Sequence, residues 1–284
     1  MVSWLAANKR SVSLFVGILQ NTRQDRTDQK QERSIRMNIA VIFAGGVGIR
    51  MASSGVPKQF LMVYDKPILI HTLEKFQYCD ACDAIVLACV ESHLDYARGL
   101  AQHFAITKLQ RIVPGGATGQ ASIYAGLQAA AEISKEQGGA KDVVLIHDGV
   151  RPLITSKLIE DNITAVREHG SCITCAGAKE TVVVVDADHT VQNVAERATT
   201  KLARAPQSFF LTDILEAHQQ ADKDGLTDVI DSCTLMAHYG KALYTLECES
   251  QNIKITTPDD YFLFKALLEL QQNAAVFEYP LGQN

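Results

Sequence analysis

From Met37 onward the chain alternates between two hydrophobic patterns, and this alternation restricts the fold more than any other feature of the sequence. Asn38–Ala44 (NIAVIFA) is an unbroken apolar run stopped by Gly45-Gly46, as expected of a strand buried on both faces. Ala84–Val90, Gln110–Val113, Val143–Ile146 and Cys172–Ala176 repeat that pattern. Between them, Ile68–Phe76, His93–Phe104, Ser122–Ser134 and Leu158–Glu168 carry apolar residues at helical spacing. Strands that alternate with helices predict an α/β fold, a single Rossmann-like domain around a mostly parallel sheet. Such sheets bind ligands beyond the carboxyl ends of their strands. Three of these strands run into Gly45-Gly46, Pro114-Gly115-Gly116 and His147-Asp148 at that edge.

Residues Thr181–Pro206 interrupt the alternation. Thr181–Val185 and Thr190–Val194, separated by Asp186–His189, read as a hairpin. An excursion this small cannot bury its own valines, so an inserted β-arm that packs on a partner or on the parent domain is expected. Helices over Leu211–Asp222 and Cys233–Tyr239, a strand over Leu243–Leu246 and a helix over Asp259–Gln272 complete the pattern. One domain over 37–284 is therefore expected, with the arm at about 181–206. Residues 1–36 differ from it. A short apolar run, Ser11–Leu19, precedes a polar, mixed-charge stretch without periodicity. No small-x-small cleavage site follows that run, so a disordered or non-native leader is expected rather than a signal peptide, with a surface-anchoring helix as the alternative.

Charge divides the chain in the same place. Residues 1–36 carry a net +4, whereas the whole chain carries −5, which leaves −9 on the body. An acidic body repels a nucleic-acid backbone and argues against that class of partner. No run approaches the length of a membrane-spanning helix. The seven cysteines include Cys79-x-x-Cys82 and Cys172-x-x-Cys175, a spacing compatible with zinc. No His-rich motif completes either pair, and Cys172 and Cys175 flank Ile173 in an apolar run. Small buried thiols in a reducing cytoplasm are the expected reading.

The chemistry concentrates in Phe43-Ala-Gly-Gly-Val-Gly-Ile-Arg-Met51 and Val56-Pro-Lys-Gln-Phe-Leu61. Glycines let backbone N–H groups approach an anion, and Arg50 and Lys58 add two cations. The segment is neither a Walker A loop nor G-x-G-x-x-G. It resembles the opening of the cytidylyltransferases that activate polyol phosphates, the ribitol-5-phosphate and 2-C-methyl-D-erythritol 4-phosphate enzymes. The resemblance continues through His147–Pro152, Pro206–Phe209 and Asn252–Asp260, and covers about residues 37–270.

The resemblance implies a site. CTP would lie on Phe43, Ala44, Gly45, Gly46, Gly48, Gly115, Gly116 and Ser122. Arg50 and Lys58 would stabilise the transition state, and Lys254 would position the attacking phosphate. Asp148 and Arg151 would lie on the substrate side, with Asp148 beside a magnesium ion carried mainly by the CTP phosphates. Thr181 and Arg197 would reach the substrate phosphate of a neighbouring subunit in a homodimer, and Thr227 would line the polyol pocket. Two positions depart from the family pattern: Gly119 stands where an Arg is usual, and Ala205 where a Thr is usual. Ala44-Gly45-Gly46, and the absence of a Lys-Arg pair after Thr181, favour ribitol 5-phosphate as acceptor over methylerythritol phosphate. A nucleotide-binding regulator without turnover is the reading from another class. The intact Arg50, Lys58, Asp148 and Lys254 oppose it, since a pure binder needs no transition-state cations.

A chain beginning at Met37 should keep the activity and melting temperature of the full chain. Loss of either on truncation would show that residues 1–36 pack on the body.

Overall fold

The computed structural model describes residues 36–45, 56–137, 139 and 141–273. The leader, Gly46, Gly48 and Arg50 lie outside them. The strands in chain order are β1 (Asn38–Ala44), β2 (Met62–Val63), β3 (Lys66–Pro67), β4 (Ala84–Cys89), β5 (Leu109–Pro114), β6 (Val143–Asp148), β7 (Ser171–Gly177), β8 (Val183–Val185), β9 (Val191–Val194), β10 (Lys201–Phe210) and β11 (Thr245–Glu247). The helices are α1 (Ile68–Gln77), α2 (Leu94–His103), α3 (Gly119–Gln137), α4 (Ser156–His169), α5 (Leu211–Asp224), α6 (Ser232–His238) and α7 (Pro258–Gln272).

Successive side chains of a strand face opposite sides, so the all-apolar β1 needs cover on both. Ala40, Ile42 and Ala44 join the core under α1, α2 and α4. Ile39 and Val41 join the core under α3, α5 and α6. The result is a three-layer sandwich around a seven-stranded sheet of order β11-β7-β10-β6-β1-β4-β5. All its pairings are parallel except those of β10, which runs antiparallel to β6 and β7. A third cluster of Val63, Ile68, Val150, Leu153, Ile255 and Phe264 seats α7 against the β2–β3 hairpin.

Register sets the site. Phe43 pairs with Asp148, Ala44 with Cys89, and Cys89 with Pro114. Four parallel strands therefore end at one level, and their following loops share one edge.

The α/β alternation and the hairpin agree with the sequence reading, but the end of the arm does not. The arm read as 181–206 ends sooner, because Lys201–Pro206 belong to β10 of the central sheet. There Lys201, Leu202 and Ala203 pair with Gly177, Ala176 and Cys175. The charges and the proline of this segment hide a strand whose order comes from β7. Asn252–Ile255 carries two isoleucines around Lys254 yet forms no strand. The two thiols of Cys172-x-x-Cys175 face opposite cores, Cys172 towards α4 and Cys175 towards α6. Cys79 and Cys82 are buried, and burial pushes the Cys82 thiol up to about 12.

His147 and His218 are buried, and burial lowers each imidazole to about 4. Between pH 6.5 and 4 the unfolded chain takes up protons at both residues that the folded chain refuses, so stability falls as pH falls through that window. His218 stacks on Tyr124 with ring centroids 5.0 Å apart. Urea unfolding at pH 7 and pH 5 should show the loss of stability, and His218→Phe should flatten it. An unchanged pH slope in that variant would contradict the assignment.

Candidate active site

The site begins where backbones crowd together. A Cβ added to Gly45 would lie 2.6 Å from Ser122 Oγ, and one added to Gly116 would lie 2.3 Å from Ala121 Cβ. At Gly115 it would lie 3.2 Å from the Cα of Gly45. Only glycine lets the β1 and β5 loops meet this closely over the start of α3. Ser122 Oγ accepts from Gly116 N at 3.0 Å and donates to Thr118 O at 2.9 Å, which fixes the loop. The Thr118 hydroxyl accepts from Ala121 N at 3.1 Å and donates to Thr227 O at 3.2 Å. The start of α3 therefore borders a glycine-lined cavity, and a helix N-terminus there suits phosphate. Lys58 and Gln59 form another wall of that cavity, and Gln59 donates to Ala44 O at 2.7 Å.

A second cavity adjoins the first. Arg151, Arg204, Gln207 and Asp231 line it, and the two share Phe43, Gly119, Asp148 and Lys254. Gln207 spans the floor, donating to Asp231 Oδ2 at 2.9 Å and accepting from Cys233 N at 2.8 Å. Among the described residues, beyond its chain neighbours and its own helix backbone, no atom lies within 4 Å of a Cβ added to Gly119. Its departure from the family pattern thus leaves open space between the two cavities.

Asp148, at the end of β6, is the pivot. Its side chain is 6% exposed, with Lys254 Nζ 2.6 Å from Oδ1 and Arg151 Nε 3.2 Å from Oδ2. Burial alone would push the carboxyl up. Lys254 and Arg151 outweigh that effect and hold it below the usual carboxylate range. The pair that sequence alone could have left as a surface contact is buried. Arg151 also donates from Nη1 to Asn252 O at 2.7 Å, and its carbonyl meets His147 Nε2 at 3.0 Å. The Lys254 side chain is 42% exposed, and its ammonium lies 5.9 Å from the centre of the Phe43 ring.

Most of the sequence candidates converge. Phe43, Ala44, Gly45, Lys58, Gly116, Ser122, Asp148 and Lys254 line the first cavity, and Arg151 lines the second. Thr181 and Arg197 line neither. They sit exposed at the arm, with Arg197 Nη2 donating to Thr181 Oγ1 at 2.9 Å. Thr227 also lines neither cavity and caps no helix, since the N-cap of α6 is Asp231. Gln59, Arg204, Gln207, Asp231 and Asn252 were not singled out from the sequence. Gln59, Gln207 and Asn252 lie within the recognised motifs and could have been found there. Arg204 and Asp231 carry no sequence signal.

A twisted parallel sheet whose glycine-lined edge faces lysines and an ionised aspartate is the arrangement of a nucleotidyltransferase. The family model described as IspD, 2-C-methyl-D-erythritol 4-phosphate cytidylyltransferase, matches residues 38–270, and the chain belongs to this family. It is 51% identical over 241 residues to the ribitol-5-phosphate cytidylyltransferase of Vibrio parahaemolyticus serotype O3:K6, covering 85% of this chain and all of that one, 100%. Identity to the 2-C-methyl-D-erythritol 4-phosphate cytidylyltransferase of Clostridium botulinum strain 657 is 37% over 232 residues, covering 82% and 97% of the two chains. The crystal structure of 4-diphosphocytidyl-2C-methyl-D-erythritol synthase from Anaerococcus prevotii is similar with a TM-score of 0.70 at 26% identity, over 83% of this chain and 98% of that chain.

Arg151→Met should destabilise the fold by roughly 3 kcal/mol, because it strips a partner from a buried carboxylate. In the Asp148→Asn background the same change should cost clearly less. Equal costs in urea unfolding would show that the pair is not coupled.

Proposed function

We propose that this enzyme transfers a cytidylyl group from CTP to ribitol 5-phosphate, giving CDP-ribitol and pyrophosphate. The observation that carries this reading is the pair of adjoining cavities that meet at Asp148 and Lys254. One is a glycine-lined phosphate cradle, and the other sets Arg151, Arg204, Gln207 and Asp231 against an apolar wall of Ile123, Ile146 and Ile230. The acceptor follows the relatives, at 51% identity to a ribitol-5-phosphate enzyme against 37% to a methylerythritol-phosphate enzyme.

In this reaction an oxygen of the acceptor phosphate attacks the α-phosphorus of CTP. A new P–O bond forms, and the bond to the bridging oxygen breaks as pyrophosphate leaves. No protein nucleophile is required. The protein has to align two anions and offset the charge that gathers on the phosphate oxygens. The first turn of α3 and Lys58 bind the triphosphate, joined by Arg50. Lys254 orients the acceptor phosphate, and Asp148 holds Lys254 in place.

Among the described residues no group of three or more His, Cys, Asp or Glu could hold a metal ion. Asp148 is a single hard-oxygen donor at the junction of the cavities, with lone pairs left after its two ion pairs. This sparse set fits magnesium, which takes most of its ligands from water and substrate phosphates. Asp148 would hold the ion, which when bound neutralises phosphate charge.

The arm supports a homodimer. Val183, Val184, Val185, Val191 and Val194 are all exposed, on a hairpin too small to bury them. Pairing of two arms covers these valines and brings Thr181 and Arg197 to the neighbour's acceptor cavity. No helix among the described residues is long and apolar enough to cross a membrane. Buried free thiols such as Cys82 and Cys172 suit the cytoplasm.

Pyrophosphate release from CTP and magnesium, with ribitol 5-phosphate and 2-C-methyl-D-erythritol 4-phosphate compared, tests the reading. A preference for the second acceptor would replace the acceptor and leave cytidylyl transfer standing. Lys58→Ala and Arg50→Ala should each lower turnover by roughly 10²–10³-fold, with CTP binding affected less. Near-normal kcat in either variant would remove its assigned role. Arg197→Ala and Lys254→Ala should each keep only residual activity alone and regain much of it on mixing, because a heterodimer holds one site with both defects and one intact site. A monomer in sedimentation, or no complementation after proven subunit exchange, would remove the shared site.

A further inference from the structure

Lys254 is the cation that meets Asp148, yet it stands on backbone with no ladder of its own. Residues 252–256 belong to no strand or helix. The path of such a segment is set by whatever satisfies its peptide groups. Here one guanidinium does much of that. Arg204 Nη1 donates to Asn252 O at 3.0 Å, to Ser250 O at 3.1 Å and to Glu249 O at 3.3 Å. The Asn252 carbonyl receives Arg151 Nη1 as well, at 2.7 Å. Next to Arg204, the Ala205 carbonyl accepts from Asn252 Nδ2 at 2.8 Å. Beyond Lys254 the chain is anchored again, where Ile255 N donates to Val150 O at 2.9 Å and Ile255 is fully buried. Lys254 thus hangs between two fixed points, one of which is a clamp built on β10.

Packing alone does not orient the lysine. Its side chain is 42% exposed, and one ion pair of 2.6 Å aims it at Asp148. A shift of the 249–252 backbone would move Lys254 away from the junction of the two cavities. Arg204 lines the acceptor-side cavity, and it also lines the cavity at the base of the arm with Val182 and Glu180. It therefore stands where the arm joins the site.

Resting on the proposed cytidylyl transfer, we infer that Arg204 is a positioning residue: its guanidinium clamps the carbonyls of Glu249, Ser250 and Asn252 so that Lys254 faces Asp148 and the acceptor phosphate. Arg204 acts through Lys254. It belongs to acceptor handling and leaves CTP binding untouched.

The test uses the full chain with Arg204→Ala, Arg204→Lys, Lys254→Ala and the Arg204→Ala/Lys254→Ala double variant. Activity is read as pyrophosphate release with CTP and ribitol 5-phosphate. Arg204→Ala should lower kcat/KM for the acceptor about 10- to 100-fold and change the KM for CTP less than about twofold. Arg204→Lys should recover much of the loss, since an ammonium offers three donors to the same carbonyls. In the Lys254→Ala background, Arg204→Ala should cost less than about twofold, because the residue through which it acts is already gone. A second readout needs no substrate: acetylation of Lys254 by an amine-reactive reagent, followed by peptide mass spectrometry. Arg204→Ala should speed the labelling of Lys254 several-fold over wild type and leave Lys157 and Lys241 unchanged. Unaltered labelling of Lys254, or an equal loss of activity in both backgrounds, overturns the positioning role. A wild-type chain inactive with ribitol 5-phosphate, but with faster Lys254 labelling in Arg204→Ala, would overturn the acceptor and keep the clamp. If Arg204→Ala fails to fold, Arg204→Lys carries both readouts. Wild-type labelling in that variant with acceptor kcat/KM still reduced would overturn the proposal, and wild-type values of both would uphold it.

Discussion

A carboxylate at the end of a buried strand keeps its charge only when cations meet it there. Asp148 is such a group, and Arg151 and Lys254 come to it from different parts of the chain. Arg151 follows in the next turn, whereas Lys254 arrives from more than a hundred residues away on a loop. Neither cation could leave without exposing the carboxylate to the full cost of its burial. The ion triad therefore closes the sheet edge and joins the last third of the chain to its middle. Much of the remaining geometry serves to keep these three groups in place. The Asn252 carbonyl receives two guanidinium donors, the Ile255 amide is tied to Val150, and the Thr257–Asp260 capping box starts α7.

Asp148 and Lys254 of the triad stand on the wall shared by the two cavities, which suits a reaction between two anions. On one side, the glycines of β1 and β5 bring backbone within van der Waals contact of Ser122 and the first turn of α3. A Cβ there would collide with that turn. On the other side, Gln207, Asp231 and Arg204 offer hydrogen bonds rather than a nucleophile. Charge placement and alignment, rather than a covalent nucleophile, are what phosphoryl-type transfer asks of a protein.

The arm follows a different logic. The inner strands β1, β4 and β6 hide their valines, isoleucines and leucines, whereas β8 and β9 leave five valines exposed. The hairpin grows from β7 and returns through β10, so its base is continuous with the strand that carries Arg204 and Ala205. Fold and site are joined through that strand. β10 pairs with β6 beside Asp148 and with β7 below the arm.

Much of this was legible in the sequence. The alternation of apolar runs defined the layered α/β fold, because a strand buried on both faces must be apolar throughout and its covering helices on one face. Glycines ahead of Lys58, and Asp148 at a strand end, marked the binding edge, because only glycine tolerates close backbone approach and few charges sit at the end of an apolar run without a task. Tertiary structure decided the rest. It made Lys201–Phe210 a central strand despite its charges, by supplying a partner in β7. It made Asn252–Ile255 a loop despite its apolar residues, because Ile255 is buried beside α7 and not in the sheet. It gave Arg204 three carbonyls to hold, and it sent Cys172 and Cys175 to opposite cores. Local pattern fixes which face of an element is apolar. Which distant group satisfies a given charge or peptide depends on contacts between residues far apart in the chain, and a single sequence carries no periodicity that encodes them.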